Sequence, residues 1–201
     1  MPEYFDISLD DLGEMIGLGG AISPELYQYY KNLKNRKIVL NQGVDAEIVE
    51  RMMIPLMEMD NDGSGEPIEI MLSTTGGSVF DAMTLCDVID NLKTPTTITC
   101  MTYAFSMGGI ILMAGFNNPN VKKRCFKHSA ALLHAGEDYL RGNAFSVKDT
   151  FHFLERYSDK IKEYTLSHSN ISEEEYNAME RTEWYMTAED MLKYGLVDEI
   201  I

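Results

Sequence analysis

A serine, a histidine and a set of carboxylates stand in this chain where a fold could unite them in one reaction. Ser106 lies in "TYAFSMGG", Thr102 to Gly109, and Ala104-Phe105-Ser106-Met107-Gly108 is a near relative of the GxSxG nucleophile elbow. Small residues around the serine permit a tight strand-to-helix turn, and the following helix offers N–H groups and its positive dipole end. The same serine could simply cap the helix "MGGIILMAGF", because serine is a favoured N-cap. His134 ends the run "AALLHAG", and open α/β sheets place their crevices at such strand ends. Of the remaining histidines, His152 and His168 fall in a long helical stretch and His128 in "KKRCFKH", a basic run that reads as surface. For an acid, "ERTEWYMTAED" offers Glu180, Glu183, Glu189 and Asp190. A serine hydroxyl is a weak nucleophile until an imidazole takes its proton, and a carboxylate that fixes the imidazole tautomer improves that base.

Two glycine-rich stretches need weighing beside the serine. Gly76-Gly77 follows an apolar run but lacks the spacing of a dinucleotide fingerprint or a P-loop. A diglycine can instead aim backbone N–H groups into a cleft and so build an oxyanion hole, or it can be a plain turn. "DNDGSG", Asp60 to Gly65, imitates the start of a calcium loop, but Met71 stands where a bidentate glutamate is required, so it reads as a polar turn. Cys86, Cys100 and Cys125 have no ligand spacing and read as buried or free thiols. No metal or cofactor is implied.

The elements that must carry these residues alternate. "RKIVL" (Arg36 to Leu40), "IEIML" (Ile68 to Leu72), "TTITCM" and "SAALLHA" read as strands. Between them, "DAEIVERMMIPLMEMD" puts Ile48, Val49, Met52, Met53 and Leu56 at helical spacing with a bend expected at Pro55. "VFDAMTLCDVIDNL" is a second helix, and a long amphipathic one spans Val147 to His168. A short helix closed by Gly195 and a last strand end the chain. Strands alternating with helices predict an α/β fold built on βαβ crossovers. The 201 residues fit one domain, and 17 basic against 32 acidic side chains give a formal charge of -15, which disfavours a phosphate backbone as partner. No apolar run is long enough to span a membrane, and "MPEYFDISLDDLGEM" is unlike a secretory signal, so the expected compartment is cytoplasmic.

The order of strand, diglycine, helix, strand, "AFSMGG", strand, "LLHAG", long helix and "TEWYMTAEDMLKYGLVDEII" resembles the ClpP family, the peptidase subunits of ATP-dependent Clp proteases. The resemblance runs from about Arg36 to Ile201. It sets 36–201 apart as a ClpP-like serine peptidase domain and 1–35 as an N-terminal segment resembling the family's axial loops. It implies a ClpP/crotonase-like fold of stacked βαβ units with a protruding helix over Val147 to His168. It also implies Ser106 as nucleophile, His134 as general base, Glu183 as third triad member, and the Gly77 and Met107 amides as oxyanion donors. Implied partners are further copies of the chain in stacked heptameric rings, an AAA+ Clp ATPase, and unfolded polypeptides cleaved in the enclosed chamber.

Three departures from the family pattern carry expectations. Glu183 replaces the usual aspartate and is one methylene longer. Thr74-Thr75 replaces Ser-Pro before the diglycine, and losing the proline is expected to loosen the turn that carries one oxyanion donor. "AGEDYLRGN" follows the histidine without the usual Gln-Pro, with Asp138 and Arg141 adding charge. The alternatives are a catalytically impaired ring subunit, a crotonase-type acyl-CoA enzyme, and a Ser-Lys peptidase for which no lysine has a claim as base.

Overall fold

The computed structural model describes residues 23–136, 140–179 and 181–201. Asp138, Glu180 and residues 1–22 of the N-terminal segment lie outside them. Helix α1 (Pro24–Lys34), capped by Ser23, packs against strand β1 (Lys37–Leu40). In β2 (Ile68–Thr74) every second side chain, from Ile68 to Thr74, is buried. Strand β3 (Thr96–Phe105) is the longest, followed by β4 (Val121–Cys125), β5 (Ala130–Leu133), β6 (Trp184–Met186) and β7 (Glu199–Ile200). The sheet runs β1-β2-β3-β4-β7, all parallel. Parallel neighbours require crossovers, which is why strands and helices alternate along the chain.

Strand β3 forks this sheet. Its first half, Thr96 to Cys100, pairs with β4, whereas Tyr103 to Phe105 pair with β5. A register shift against β2 between Leu72 and Thr74 marks the bend. Strand β5 in turn pairs antiparallel with β6. The fork, at the C-terminal ends of β2, β3 and β5, is where Gly77, Ser106 and His134 emerge.

The stretch around Pro55 is one continuous helical run, 47–61, that changes type where the sequence predicts a bend. Val49–Met53 is π-helical, and α2 (Ile54–Asn61) continues directly from it with Pro55 just past the junction, where the wider turn accommodates a residue without a backbone N–H. The wider turn shifts the helical phase. Ile48, Met52, Met53 and Leu56 are buried as their spacing predicts, but Val49 is turned outward, 39% exposed. In "DNDGSG" the carboxylates serve the turn. Asp60 accepts from the Lys93 and Thr94 amides at 2.8 Å, and Asp62 accepts from the Ser64 amide and pairs with Arg36. Burial raises the Asp62 pKa, but its hydrogen bonds from Ser64 and the Arg36 guanidinium outweigh that and hold it at about 2.

"KKRCFKH" is a surface run only in part: Lys122, Phe126, Lys127 and His128 are exposed, but Lys123 and Cys125 are buried. Val121–Cys125 is interior strand β4, and Lys123 is 1% exposed. Its ammonium donates to the Gly195 carbonyl at 2.9 Å and lies over the Phe116 ring. Burial pushes its pKa down to about 8, against the opposing pull of the Asp198 and Asp90 carboxylates. Three consecutive basic residues, Lys122, Lys123 and Arg124, hide the strand in the sequence, although the middle one points inward.

Helix α3 (Val79–Asp90) covers the sheet, and α4 (Met107–Met113) is buried along its whole length, which explains its apolar composition on every face. Helix α5 (Ala144–Ser167) starts earlier than its sequence pattern indicates, because the Asn143 side chain caps it by accepting from the Phe145 and Ser146 amides. His168 is its C-cap. Only Thr165 of α5 is buried, and Phe145 and Phe151 are exposed, so the helix protrudes. Its inner face meets α3 through Phe80, which packs on Phe153 and Tyr157. Helices α6 (Glu173–Met179) and α7 (Ala188–Lys193) flank β6. All three cysteines are free and buried. Among the described residues no helix is long and apolar enough to cross a membrane.

Candidate active site

Strand register selects the acid. The antiparallel β5–β6 ladder sets Ala131 against Met186, Leu132 against Tyr185 and Leu133 against Trp184. One further step places His134 opposite Glu183, and directly opposed residues on an antiparallel pair are close enough for side-chain contact. The His134 Nδ1 lies 3.2 Å from a Glu183 carboxylate oxygen. With Nδ1 donating to that carboxylate, Nε2 carries the lone pair and is free to act as a base. The pair is open to solvent: the His134 side chain is 26% exposed and the Glu183 side chain 57%. Asp190 is otherwise engaged, in a capping box with Thr187 at the start of α7.

A second register brings the serine to the same place. In the parallel β3–β5 ladder Phe105 pairs with Leu132, and the Ser106 amide donates to the Leu132 carbonyl at 2.8 Å. Ser106 therefore stands beside the last residues of β5, just before His134. Its backbone has φ 56° and ψ −124°, a conformation costly for a residue with a Cβ. Ser106 occupies the N-cap position of α4, yet its side chain makes no capping bond. The ordinary reason for a serine here is thus absent, while the strain of a sharp elbow is present. Among the described residues the Ser106 hydroxyl makes no hydrogen bond to His134 or to any other group. Catalytic hydrogen bonds are often loose before substrate binds.

The turn after β2 supplies the second backbone donor. Val44 and Gly77 form an isolated parallel bridge: the Val44 amide donates to Gly76 O at 2.8 Å, and the Ser78 amide donates to Val44 O at 2.7 Å. The central residue of a parallel bridge turns its own N–H away from its partner strand, so the Gly77 amide is left pointing outward. The Met107 amide, first in α4, is one of the orphan donors of a helix start. The two glycines are dictated by close approach at positive φ. A Cβ on Gly76 (φ 85°) would lie 2.5 Å from Phe105 O and 2.8 Å from Met107 N, and one on Gly77 (φ 148°) would lie 2.2 Å from Val44 O. Gly76 is what lets the β2 turn and the serine elbow touch.

The turn that lacks the proline is tied by the Thr74 side chain. Thr74, 1% exposed, accepts from the Gly76 amide at 3.1 Å and donates to the Gln42 carbonyl at 2.5 Å. Sequence reasoning missed Thr74 and Val44 as builders of the site. A buried threonine at the inward-facing end of β2 was the available signal. Among the described residues no three His, Cys, Asp or Glu side chains converge as metal ligands would.

A family model described as Clp protease matches residues 22–201. The ATP-dependent Clp protease proteolytic subunit of Deinococcus radiodurans is 25% identical over 173 residues, covering 86% of this chain and 83% of that protein. The protein of the same name from Bacteroides fragilis is 23% identical over 177 residues, 88% of this chain and 84% of its own length.

Proposed function

The chain belongs to the Clp protease family, and from that premise we propose that it is a serine endopeptidase acting on unfolded polypeptides. Ser106 attacks the peptide carbonyl as His134 Nε2 takes its proton. Glu183 holds the imidazole in the tautomer that leaves Nε2 free and stabilises the imidazolium that forms. The Gly77 and Met107 amides receive the developing oxyanion. His134 then returns the proton to the leaving amine, and water releases the acyl-enzyme by the same route. The observation that supports this best is the Ser106 elbow, a strained non-glycine residue whose hydroxyl is not spent on capping its helix. Strain of this kind persists where the surrounding structure enforces it, as functional sites do.

The likeness to proteins named proteolytic subunits of an ATP-dependent protease extends the proposal to assembly. Copies of the chain form closed rings around a chamber in the cytoplasm, and a Clp ATPase supplies unfolded substrate. The domain assignment follows the same logic, with 36–201 as the peptidase domain and 1–35 as a segment at the ring's axis. The test is labelling with a fluorophosphonate probe, with native mass measurement of the same sample. Wild type should be labelled on Ser106 and Ser106→Ala should not. An assembled wild type that takes up no label would show a ring subunit without catalysis.

A further inference from the structure

We propose that Thr74 is a positioning residue for the oxyanion hole, setting the Gly77 donor relative to the Met107 donor without touching substrate; the inference rests on the peptidase reading above. A threonine hydroxyl has one proton to give and lone pairs to accept with. Here the proton goes to the Gln42 carbonyl at 2.5 Å, and a lone pair takes the Gly76 amide at 3.1 Å. That second bond fixes the Thr75–Gly76 peptide plane, which leads into the plane carrying the outward-pointing Gly77 amide, itself held through Gly76 O by the Val44 amide. The γ-methyl has a separate task. A Cβ on Gly108 would lie only 2.7 Å from it, so the methyl sits against the first turn of α4, one residue past Met107. One buried side chain therefore spans the two backbone segments that carry the two donors. Because threonine is stiff about χ1, its hydroxyl and methyl cannot move independently.

Positioning is separable from folding at this site. The bonds between Val44 and Gly76 and between Val44 and Ser78 do not involve Thr74, so the turn keeps its attachment when the hydroxyl is lost. What is lost is the anchor of the Thr75–Gly76 peptide, the one immediately before the peptide that carries the Gly77 donor. Misplacement of a reacting or stabilising group by about 1 Å costs on the order of a hundredfold in rate, so a smaller tilt costs less.

The experiment compares Thr74→Val, which removes the hydroxyl at nearly constant shape, with Thr74→Ser, which keeps it. Three quantities are read: kcat and KM on a fluorogenic peptide, the inhibition constant of a peptidyl boronate, and hydrogen exchange of the Gly76 amide. Expected for Thr74→Val is a kcat about 10- to 100-fold lower with KM nearly unchanged, and boronate binding weakened in parallel, because the boronate adduct carries the oxyanion. Its Gly76 amide should exchange at least about tenfold faster, having lost its acceptor. Thr74→Ser should stay within about threefold of wild type in all three. A loss in Thr74→Ser as large as or larger than that in Thr74→Val would assign the effect to the methyl that only serine lacks and overturn the proposal. So would an unchanged kcat in a Thr74→Val protein whose Gly76 amide has lost protection. If wild type proves inert, the peptidase reading fails, and exchange still decides the rest: an unchanged Gly76 rate in Thr74→Val shows that the hydroxyl fixes nothing. Should Thr74→Val not fold, Thr74→Ala carries the same comparison.

Discussion

Glu183→Gln removes the charge facing His134 while keeping the side chain's length. The separation it acts across, 3.2 Å, is longer than the ~2.7–2.9 Å of a strong charge-assisted bond. At that distance the attraction between an imidazolium and a carboxylate is about 1 kcal/mol in a water-like dielectric and about 5 kcal/mol at an effective constant near 20. The Glu183 side chain is 57% exposed, which puts the pair toward the low end, at about 1.5–3 kcal/mol. That corresponds to a loss of roughly 10- to 150-fold in the acylation rate. It is well short of the ~10⁴-fold lost when the buried carboxylate of a tight triad is neutralised. An exposed amide can also rotate to present its oxygen to Nδ1, so the productive tautomer survives. The assay is the second-order rate of fluorophosphonate labelling from pH 6 to 9, alongside kcat/KM for a peptide. Glu183→Asp should lose about as much, because one methylene, roughly 1.5 Å, takes the carboxylate out of bonding range. A loss near 10⁴-fold in Glu183→Gln, or none at all, would refute the assignment of an exposed, moderately coupled orienting acid.

Other expectations follow from the same geometry. Ser106→Ala should abolish labelling yet leave the denaturation midpoint within about 0.5 kcal/mol of wild type, since no capping bond is lost; a loss of about 1 kcal/mol or more would restore the cap interpretation. Gly76→Ala must push a methyl against Phe105 O and Met107 N at φ 85°, so it should destabilise by about 2–4 kcal/mol and suppress labelling, as denaturant titration and the probe would show. Lys123 has a folded-state pKa of about 8, below its usual value, so the folded protein binds fewer protons than the unfolded one between about pH 8 and 10.5. Wild-type stability should therefore rise relative to Lys123→Met across that window, by up to about 3 kcal/mol, and a flat difference curve would contradict the burial.

Much of the architecture was legible because hydrophobic periodicity reports directly on burial. The β2 alternation, the apolar run of α4 and the diglycine all mark their places in the linear chain. β4 escaped, since burial of Lys123 depends on a carbonyl contributed by Gly195, far along the chain. The phase at Val49 escaped too, because a single π turn leaves no trace in a pattern read at 3.6 residues per turn. Short β6 was likewise hidden: three residues are too few for a period to register.

The site divides along the same line. Sequence by itself determined which residue types were present for the chemistry: a serine among small residues before an apolar helix, a histidine at a strand end, a diglycine after a strand. Those are local requirements, set by turn sterics and by where strands stop, and local requirements are written locally. Tertiary structure decided which acid faces His134, because only the β5–β6 register distinguishes Glu183 from its acidic neighbours. It also decided whether Ser106 caps its helix or stands free. And it showed that Thr74 ties its turn to distant backbone through the Gln42 carbonyl while accepting from the nearby Gly76 amide. Register and long-range hydrogen bonds join residues that are remote in the chain, so no window of sequence contains them.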